Sequence, residues 1–255
     1  MRPPDRQERD DGLRECGRAV LLRPSRTMPD SRVQKWQRWL EDSIRNEVLS
    51  LHWHRLIYRE VGEIVEANPD LPPSTFFTFV GQTYLATQAV TVRRQAETKP
   101  QVISLGRLMK EMASDSGRLT RRLYVSMYDE HIRDLADPDF DRLAGAGADH
   151  VPASRIEADL TALRQVTRTI SDWVDRHVAH VDQTPLQSFP TFNDLNVAID
   201  AIGAAFNKCS GILKASSWAT LEPVAQHNWL AVFHVPWVPE GQHRAPGAPR
   251  FLDQQ

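Results

Sequence analysis

The chain has 255 residues, 41% of them hydrophobic and 25% charged, so it is long enough to bury a substantial core. Only 12 glycines argue against a turn-rich sandwich or barrel, and a formal net charge of −2 provides no global basic field for nucleic acid. Cys16 and Cys209 are too few and too distant for a disulfide framework or a cysteine zinc site, and no apolar run is long enough to span a membrane. These features predict a cytoplasmic protein without membrane contact.

The two ends of the chain differ in composition from the rest. Residues 1–29 are dominated by charge and proline, which predicts a disordered N-terminal segment. Met28 stands directly before a helix start at Asp30-Ser31, so both Met1 and Met28 are candidate initiators. Residues 30–239 are predicted to form one helical domain, and residues 240–255 a disordered C-terminal tail.

Apolar side chains recur at three- and four-residue spacings over four long segments, which predicts four long helices. These are expected at residues 31–67, 74–95, 152–182 and 191–214. The second is apolar nearly all round in its middle, which predicts that it is buried in the bundle. The predicted class is all-α: a bundle of four long helices with extra short helices and an irregular C-terminal tail.

The connecting segments give a more mixed pattern. Shorter helices are expected at residues 102–113 and 119–131, and loops at 137–138 and 145–147. Residues 228–233 (NWLAVF) are compatible with a short strand or with a strap across the bundle.

The residues that could act in catalysis are concentrated at the end of the third predicted helix, in residues 173–182 (WVDRHVAHVD). At 100° per residue, Arg176 and His180 lie one turn apart, away from the core stripe and beside an exposed Trp173. An imidazole can act as a general acid or base near neutral pH, and an arginine can hold a phosphate. This pair suits metal-independent RNA cleavage by the ribose 2′-OH. The alternative is a solvated pair that favours the helix dipole.

Short motifs elsewhere add to this segment: Trp39-Leu40, Val92-Arg93-Arg94 and Pro236-Trp237. Together with Asp175-Arg176-His177-Val178-Ala179-His180, they resemble the HEPN superfamily of helical bundles, in particular the AbiU-like branch of abortive-infection proteins. The resemblance covers residues 31–239.

The resemblance implies a fold and an activity. Many HEPN proteins are metal-independent ribonucleases, and two copies of their motif meet across a dimer interface. That motif is an Arg, then four to six residues, then a His, with a polar residue after the Arg. His180 matches the motif His and Asp175 matches the polar position. The Arg is expected at Trp173, Val174 or Asp175, and none of these is an arginine. If Asp175 takes the polar position, Val174 stands where the Arg is expected, and Arg176 is closer to His180 than the pattern allows.

The resulting hypothesis is a homodimeric phage-defence or stress-response protein that acts on RNA without a cofactor or metal. Its partners would be RNA or a nucleotide and an antitoxin or other defence protein. Its candidate residues are His180, Arg176 and Asp175 for catalysis, Arg93, Arg94, His177 and Asp182 for RNA or phosphate, and Trp173 for the dimer interface. Adjacent helical residues point about 100° apart, so at most one of the two arginines at 93 and 94 can face a given pocket.

Two other functions remain open at this stage. The first is a catalytically silent helical module that binds a nucleotide, RNA or a protein partner, which the valine at the motif arginine position favours. The second is a purely structural dimeric bundle, with Trp173 and His180 in its interface.

Overall fold

The computed structural model describes residues 31–71, 74–178 and 189–235, and these ranges are helical without a β-strand. The predictions for residues 1–29 and 240–255, for Met28, and for Pro236-Trp237 lie outside the described residues. The α-helices in the described ranges are α1 (Ser31–Arg38), α2 (Arg45–Glu66), α3 (Thr75–Ala96), α4 (Leu105–Ser114), α5 (Arg121–Val125), α6 (Ala136–Ala144), α7 (Ala153–Trp173) and α8 (Phe192–Lys214). Two π-helical turns, π1 (Trp39–Ile44) and π2 (Val174–Val178), and 3-10 helices at Ser116–Arg118, Glu130–Leu135 and Trp229–His234 complete the description.

The four long helices predicted from the sequence are confirmed as an all-α bundle, and the predicted end of the third, at residue 182, lies outside the described residues. The first is continuous from Ser31 through π1 to Glu66, and α3, α7 with π2, and α8 are the others. Helix α7 packs against α3, α4 and α8, and therefore lies at the centre of the arrangement. None of the described helices combines the length and the apolar character needed to cross a membrane.

The first helix owes its straight apolar stripe to π1. Trp36, Leu40, Ile44 and Val48 recur every four residues, and all four have 0% exposure. In an α-helix, four residues turn through 400°, so the stripe would drift by about 40° at each step. A π-turn winds fewer degrees per residue, because its hydrogen bonds run from i to i+5. The wider turn therefore keeps this stripe on the core side.

The starts of α3 and α8 follow capping residues. The Ser74 hydroxyl accepts a hydrogen bond from the backbone N–H of Phe76 at the start of α3. At the start of α8, the side chains and backbone N–H groups of Thr191 and Asp194 bond reciprocally in a capping box. Such caps satisfy N–H groups that have no partner within the helix, which explains why the predicted starts agree with the observed ones.

The prediction that the second long helix is buried along its middle is wrong for its N-terminal half. Phe76 is 48% exposed and Phe79 62% exposed, whereas Ala89 and Val92 nearer the C-terminus are fully buried. The first turns of α3 form an apolar cleft with α2 that Phe76 and Phe77 help to line, and Phe79 is not part of this cleft. Helix composition alone did not reveal that the neighbouring helices cover only one end of α3.

Three predictions for the connecting segments are corrected. The predicted loop at 137–138 lies in α6. Proline is tolerated there because Pro138 occupies the first helical turn, where backbone N–H groups have no hydrogen-bond partner within the helix. The predicted helix at 119–131 divides into α5 and part of a 3-10 helix. Residues Trp229–His234 form a 3-10 helix and not a strand, since no neighbouring strand is present in the described ranges to pair with them. The predicted loop at 145–147 is confirmed, with positive φ at Gly145 and Gly147.

A buried carboxylate connects the first helix to α4. Glu111 is 5% exposed, and its oxygens accept hydrogen bonds from Trp36 Nε1 at 3.0 Å, Lys35 Nζ at 2.9 Å and Arg107 Nη2 at 2.6 Å. Burial by itself would raise the pKa of Glu111, but these three donors outweigh it and lower that pKa to about 2. The carboxylate is therefore ionised and holds two cations and an indole in place.

We predict that Glu111→Gln lowers the free energy of unfolding by about 3 kcal/mol, because breaking a buried ion pair leaves its partners without charge compensation. Urea denaturation would measure this change. The matched control is Glu222→Gln, which removes an exposed ion pair with Arg59 at 3.2 Å and is expected to cost under about 0.5 kcal/mol. Equal effects of the two substitutions would contradict the central role of Glu111.

A second close contact joins α2 to α8. His52 is 5% exposed, and a Cβ placed on Gly203 would lie 2.8 Å from its Nε2, so only glycine permits this approach of the two helices. Arg55 Nη2 lies 3.1 Å from His52 Nδ1, and a guanidinium only donates, so Nδ1 is the acceptor. Burial and then the Arg55 charge lower the pKa of His52 from 6.5 to about 4.

This contact generates a pH prediction. Between pH 6.5 and pH 4, His52 is protonated in the unfolded chain but stays neutral in the folded chain. The contribution of neutral His52 to the free energy of unfolding is therefore complete above pH 6.5 and is lost as the pH falls towards 4. We expect the free energy of unfolding to fall by about 2 kcal/mol between about pH 7.5 and pH 5. The decline should be shallower in His52→Gln, measured by urea denaturation at both pH values. Identical declines in the two proteins would show that His52 does not control the pH dependence.

Candidate functional site

The described part of the candidate motif, which ends at Val178, lies at the end of α7 and on π2, which continues α7 without a break. The core stripe of α7 includes Ile156, Leu163, Ile170 and Val174, all at most 4% exposed, and it ends there, since Val178 is 37% exposed. The angular positions predicted for this segment assume 100° per residue. A π-turn winds less per residue, so that assumption fails beyond Trp173. π-Turns inside α-helices often occur at functional sites.

The structure places only part of the predicted site. His180 and Asp182 lie outside the described residues. Of the others on this segment, Asp175 is exposed, and Arg176 and His177 are half-buried. The expectation of an exposed Trp173 is wrong, because the indole is half-buried and packs against the hydrophobic core. Its role in a dimer interface stays a prediction.

Arg93 is brought to the motif from α3. Its Nε donates a hydrogen bond to Asp175 Oδ1 at 2.8 Å, and its Nη2 lies 3.6 Å from the Glu97 carboxylate one turn further along α3. The Arg93 side chain is 31% exposed and the Asp175 side chain 53%, so solvent screens this ion pair. The contact contributes little to stability, but it fixes a guanidinium beside the motif.

Arg94 points to a different part of the molecule. Its Nε donates to Glu47 Oε2 of α2 at 2.9 Å, and the neighbouring Gln95 Nε2 donates to the same oxygen at 2.5 Å. Adjacent helical residues diverge by about 100°, which is why Arg93 and Arg94 have different partners. Arg93 is therefore the one of the two arginines that the fold brings to the motif.

His177 and Phe189 form a second contact at this end of α7. Their ring centroids are 6.2 Å apart with a 46° tilt, and Phe189 is 70% exposed. His177 Nε2 is buried and has no hydrogen-bond partner among the described residues. Sequence reasoning missed Phe189, although an aromatic residue directly before Pro190 in an inter-helix segment is a usable signal for an exposed ring.

A polar groove leads from the motif along α7. It has a volume of about 560 Å³ and runs between α7 and the C-terminal end of α3. Its lining includes Arg93 and Asp175 from the predicted site, together with Arg164 and Arg168, which sequence reasoning missed. The signal that could have found them is the four-residue spacing that connects both arginines to Arg176. Within the described ranges, no three His, Cys, Asp or Glu side chains are grouped as a metal ion would require.

Comparison with known families accounts for most of the chain. No curated protein and no solved structure matches it significantly. A family model for AbiU2, HEPN_AbiU2, matches residues 33–232, which include the motif segment and all of the long helices except the first two residues of α1. The match covers far more than half of the 255 residues, and the all-α bundle agrees with it. The chain therefore belongs to the HEPN_AbiU2 family.

Proposed function

We propose that this chain is a defence protein of the abortive-infection type that cleaves RNA as a homodimer without a metal ion. The observation that carries the proposal is the 2.8 Å contact between Arg93 Nε and Asp175 Oδ1. It supplies a guanidinium to a motif whose expected arginine position holds a valine. Membership of the HEPN_AbiU2 family supports the defence role.

The burial of Val174 explains why the cation has to come from elsewhere. Val174 is 3% exposed and belongs to the core, so an arginine at this position would bury a charge without a partner. Arg93 reaches the same segment from α3, and Arg176 follows Asp175 directly in the chain. These two arginines would hold the scissile phosphate and stabilise the negative charge that develops on it. Asp175 would orient Arg93.

The proposed reaction is transesterification within the RNA backbone. His180 takes the proton of the ribose 2′-OH, and the 2′-oxygen forms a bond to phosphorus. The bond from phosphorus to the 5′-oxygen breaks, and a second histidine protonates this leaving oxygen. In a dimer, the second histidine is the partner subunit's His180. The products are a 2′,3′-cyclic phosphate and a 5′-hydroxyl, so no water and no cofactor is consumed.

A catalytically silent binding module is the second candidate, and the valine at the expected arginine position, Val174, favours it. If the substitution of the motif arginine removed cleavage, the same surface would still offer Arg93, Arg176 and the groove to RNA or a nucleotide. This alternative predicts binding without product formation.

The decisive experiment incubates the purified protein with mixed cellular RNA, with and without a chelator. We expect chelation to have no effect, and His180→Ala to lower cleavage by about 100-fold or more, because general acid–base groups contribute that much. Arg176→Ala should also lower cleavage, and Arg176→Lys should recover only part of it, since an ammonium cannot bind phosphate bidentately.

The neighbouring arginines at 93 and 94 provide a matched pair for the same assay. Arg93→Gln should lower cleavage by about tenfold or more, and Arg94→Gln, which disturbs only the contact with Glu47, by less than about twofold. Equal effects would remove Arg93 from the site. Binding of RNA by a wild type that cuts nothing would establish the silent module.

Dimerisation is tested separately. We expect light scattering to report twice the mass of the chain at high micromolar concentration, with the end of the third long helix near the two-fold axis. Val178→Glu places a charge at that end, where the valine is 37% exposed, and should shift the protein towards monomer. Ile132→Glu, at a 41% exposed position on the Glu130–Leu135 helix, is the control and should remain dimeric. A monomeric wild type would contradict the composite site.

A further inference from the structure

Charged residues recur every four residues along the exposed side of α7 and into π2. Arg164 and Arg168 are followed by Asp172 and then Arg176, and His180 continues the same spacing in the sequence. Four residues of an α-helix rise by about 6 Å, which is close to the separation of successive phosphates in an extended single strand. The first three of these residues line the polar groove that ends at Arg93 and Asp175. Arg164, Arg168 and Asp172 therefore form a row of charged side chains along the groove that holds Arg93, and Glu97 and Asp175 add carboxylates to the same lining.

The charges of this row are available to a ligand. Arg168 Nε lies 3.8 Å from Asp172 Oδ2, and the two side chains are 80% and 53% exposed, so their attraction is weak. Arg164 is exposed and forms no ion pair with any other described residue. Thr161, Gln165 and Ser171 add hydroxyl and amide groups to the groove wall. Such groups are the usual partners of phosphate and sugar oxygens.

We propose that this groove holds the backbone of single-stranded RNA, with Arg164 and Arg168 on successive phosphates, and guides it to the site at Arg93 and Arg176. The inference rests on the proposed function, because the groove is a track for that substrate. A groove of about 560 Å³ has the size of a small-ligand site and is too small to enclose a duplex. Outside the groove lining, the exposed ring of Phe189 lies 6.2 Å from the His177 ring of the motif segment and offers a stacking surface to an unpaired base.

The experiment measures binding apart from cleavage. A short, fluorescently labelled single-stranded RNA is titrated against the His180→Ala protein at several salt concentrations, and its anisotropy gives the dissociation constant. Each phosphate contact on a single strand contributes about 0.7 to the slope of log K against log salt. Arg164→Gln/Arg168→Gln in the same background should therefore reduce this slope by about 1.4. Arg38→Gln/Arg133→Gln removes the same charge from exposed positions outside the groove and should leave the slope unchanged.

The strand preference is tested with the same protein. A duplex of the same sequence should bind more weakly than the single strand, and Phe189→Leu should reduce the difference between them. Tight duplex binding, or single-stranded DNA bound more tightly than RNA, would overturn the assignment of the ligand.

The groove and the ribonuclease proposal can fail independently. A slope that falls equally in the groove variant and the control would overturn the groove, even if wild type cleaves RNA. A slope that falls only in the groove variant would support the groove, even if wild type cleaves nothing. A protein that neither binds nor cuts single-stranded RNA would overturn both.

Discussion

The arrangement of this bundle depends on one buried carboxylate. The Glu111 carboxylate accepts hydrogen bonds from the Trp36 indole and the Lys35 ammonium of the first helix. It also accepts one from the Arg107 guanidinium of its own helix. This ties the first helix to α4, and α4 packs directly against α7, which carries the proposed site. A charge buried with three donors is stable only when all of them are in place, so it specifies the register between elements 75 residues apart in sequence. Apolar packing alone would tolerate small shifts of that register.

The two π-turns act on the apolar stripes in different ways. In the first helix, π1 compensates the drift of a four-residue repeat and keeps Trp36 to Val48 in the core. At the end of α7, π2 begins where the core stripe ends and changes the directions of the motif side chains. A helix that must bury Val174 and still present Asp175 to a neighbouring helix gains from such a wider turn.

In the proposed site, Arg93 of α3 takes the place of the arginine that the motif lacks at Val174. In the sequence, a valine stands where the HEPN motif that this segment resembles has an arginine, which argues against catalysis when the motif is considered along one helix. The fold brings Arg93 to the next residue of the motif from a helix that precedes it by more than 80 residues, through Asp175. Whether a motif is complete therefore depends on which helices pack side by side, as α3 and α7 do here. The arginines of the groove extend the same surface along α7.

The sequence by itself determined the all-α class, the four long helices and their starts, because apolar periodicity and capping residues such as Ser74 and Thr191 act over a few residues. It also determined the divergence of Arg93 from Arg94, which follows from helical geometry. Only the tertiary structure decided that α3 is exposed along its N-terminal half and that Trp173 is half-buried, because burial depends on which elements cover a given turn. The partner of Asp175 was decided in the same way, since a contact between α3 and α7 leaves no local signal in either helix.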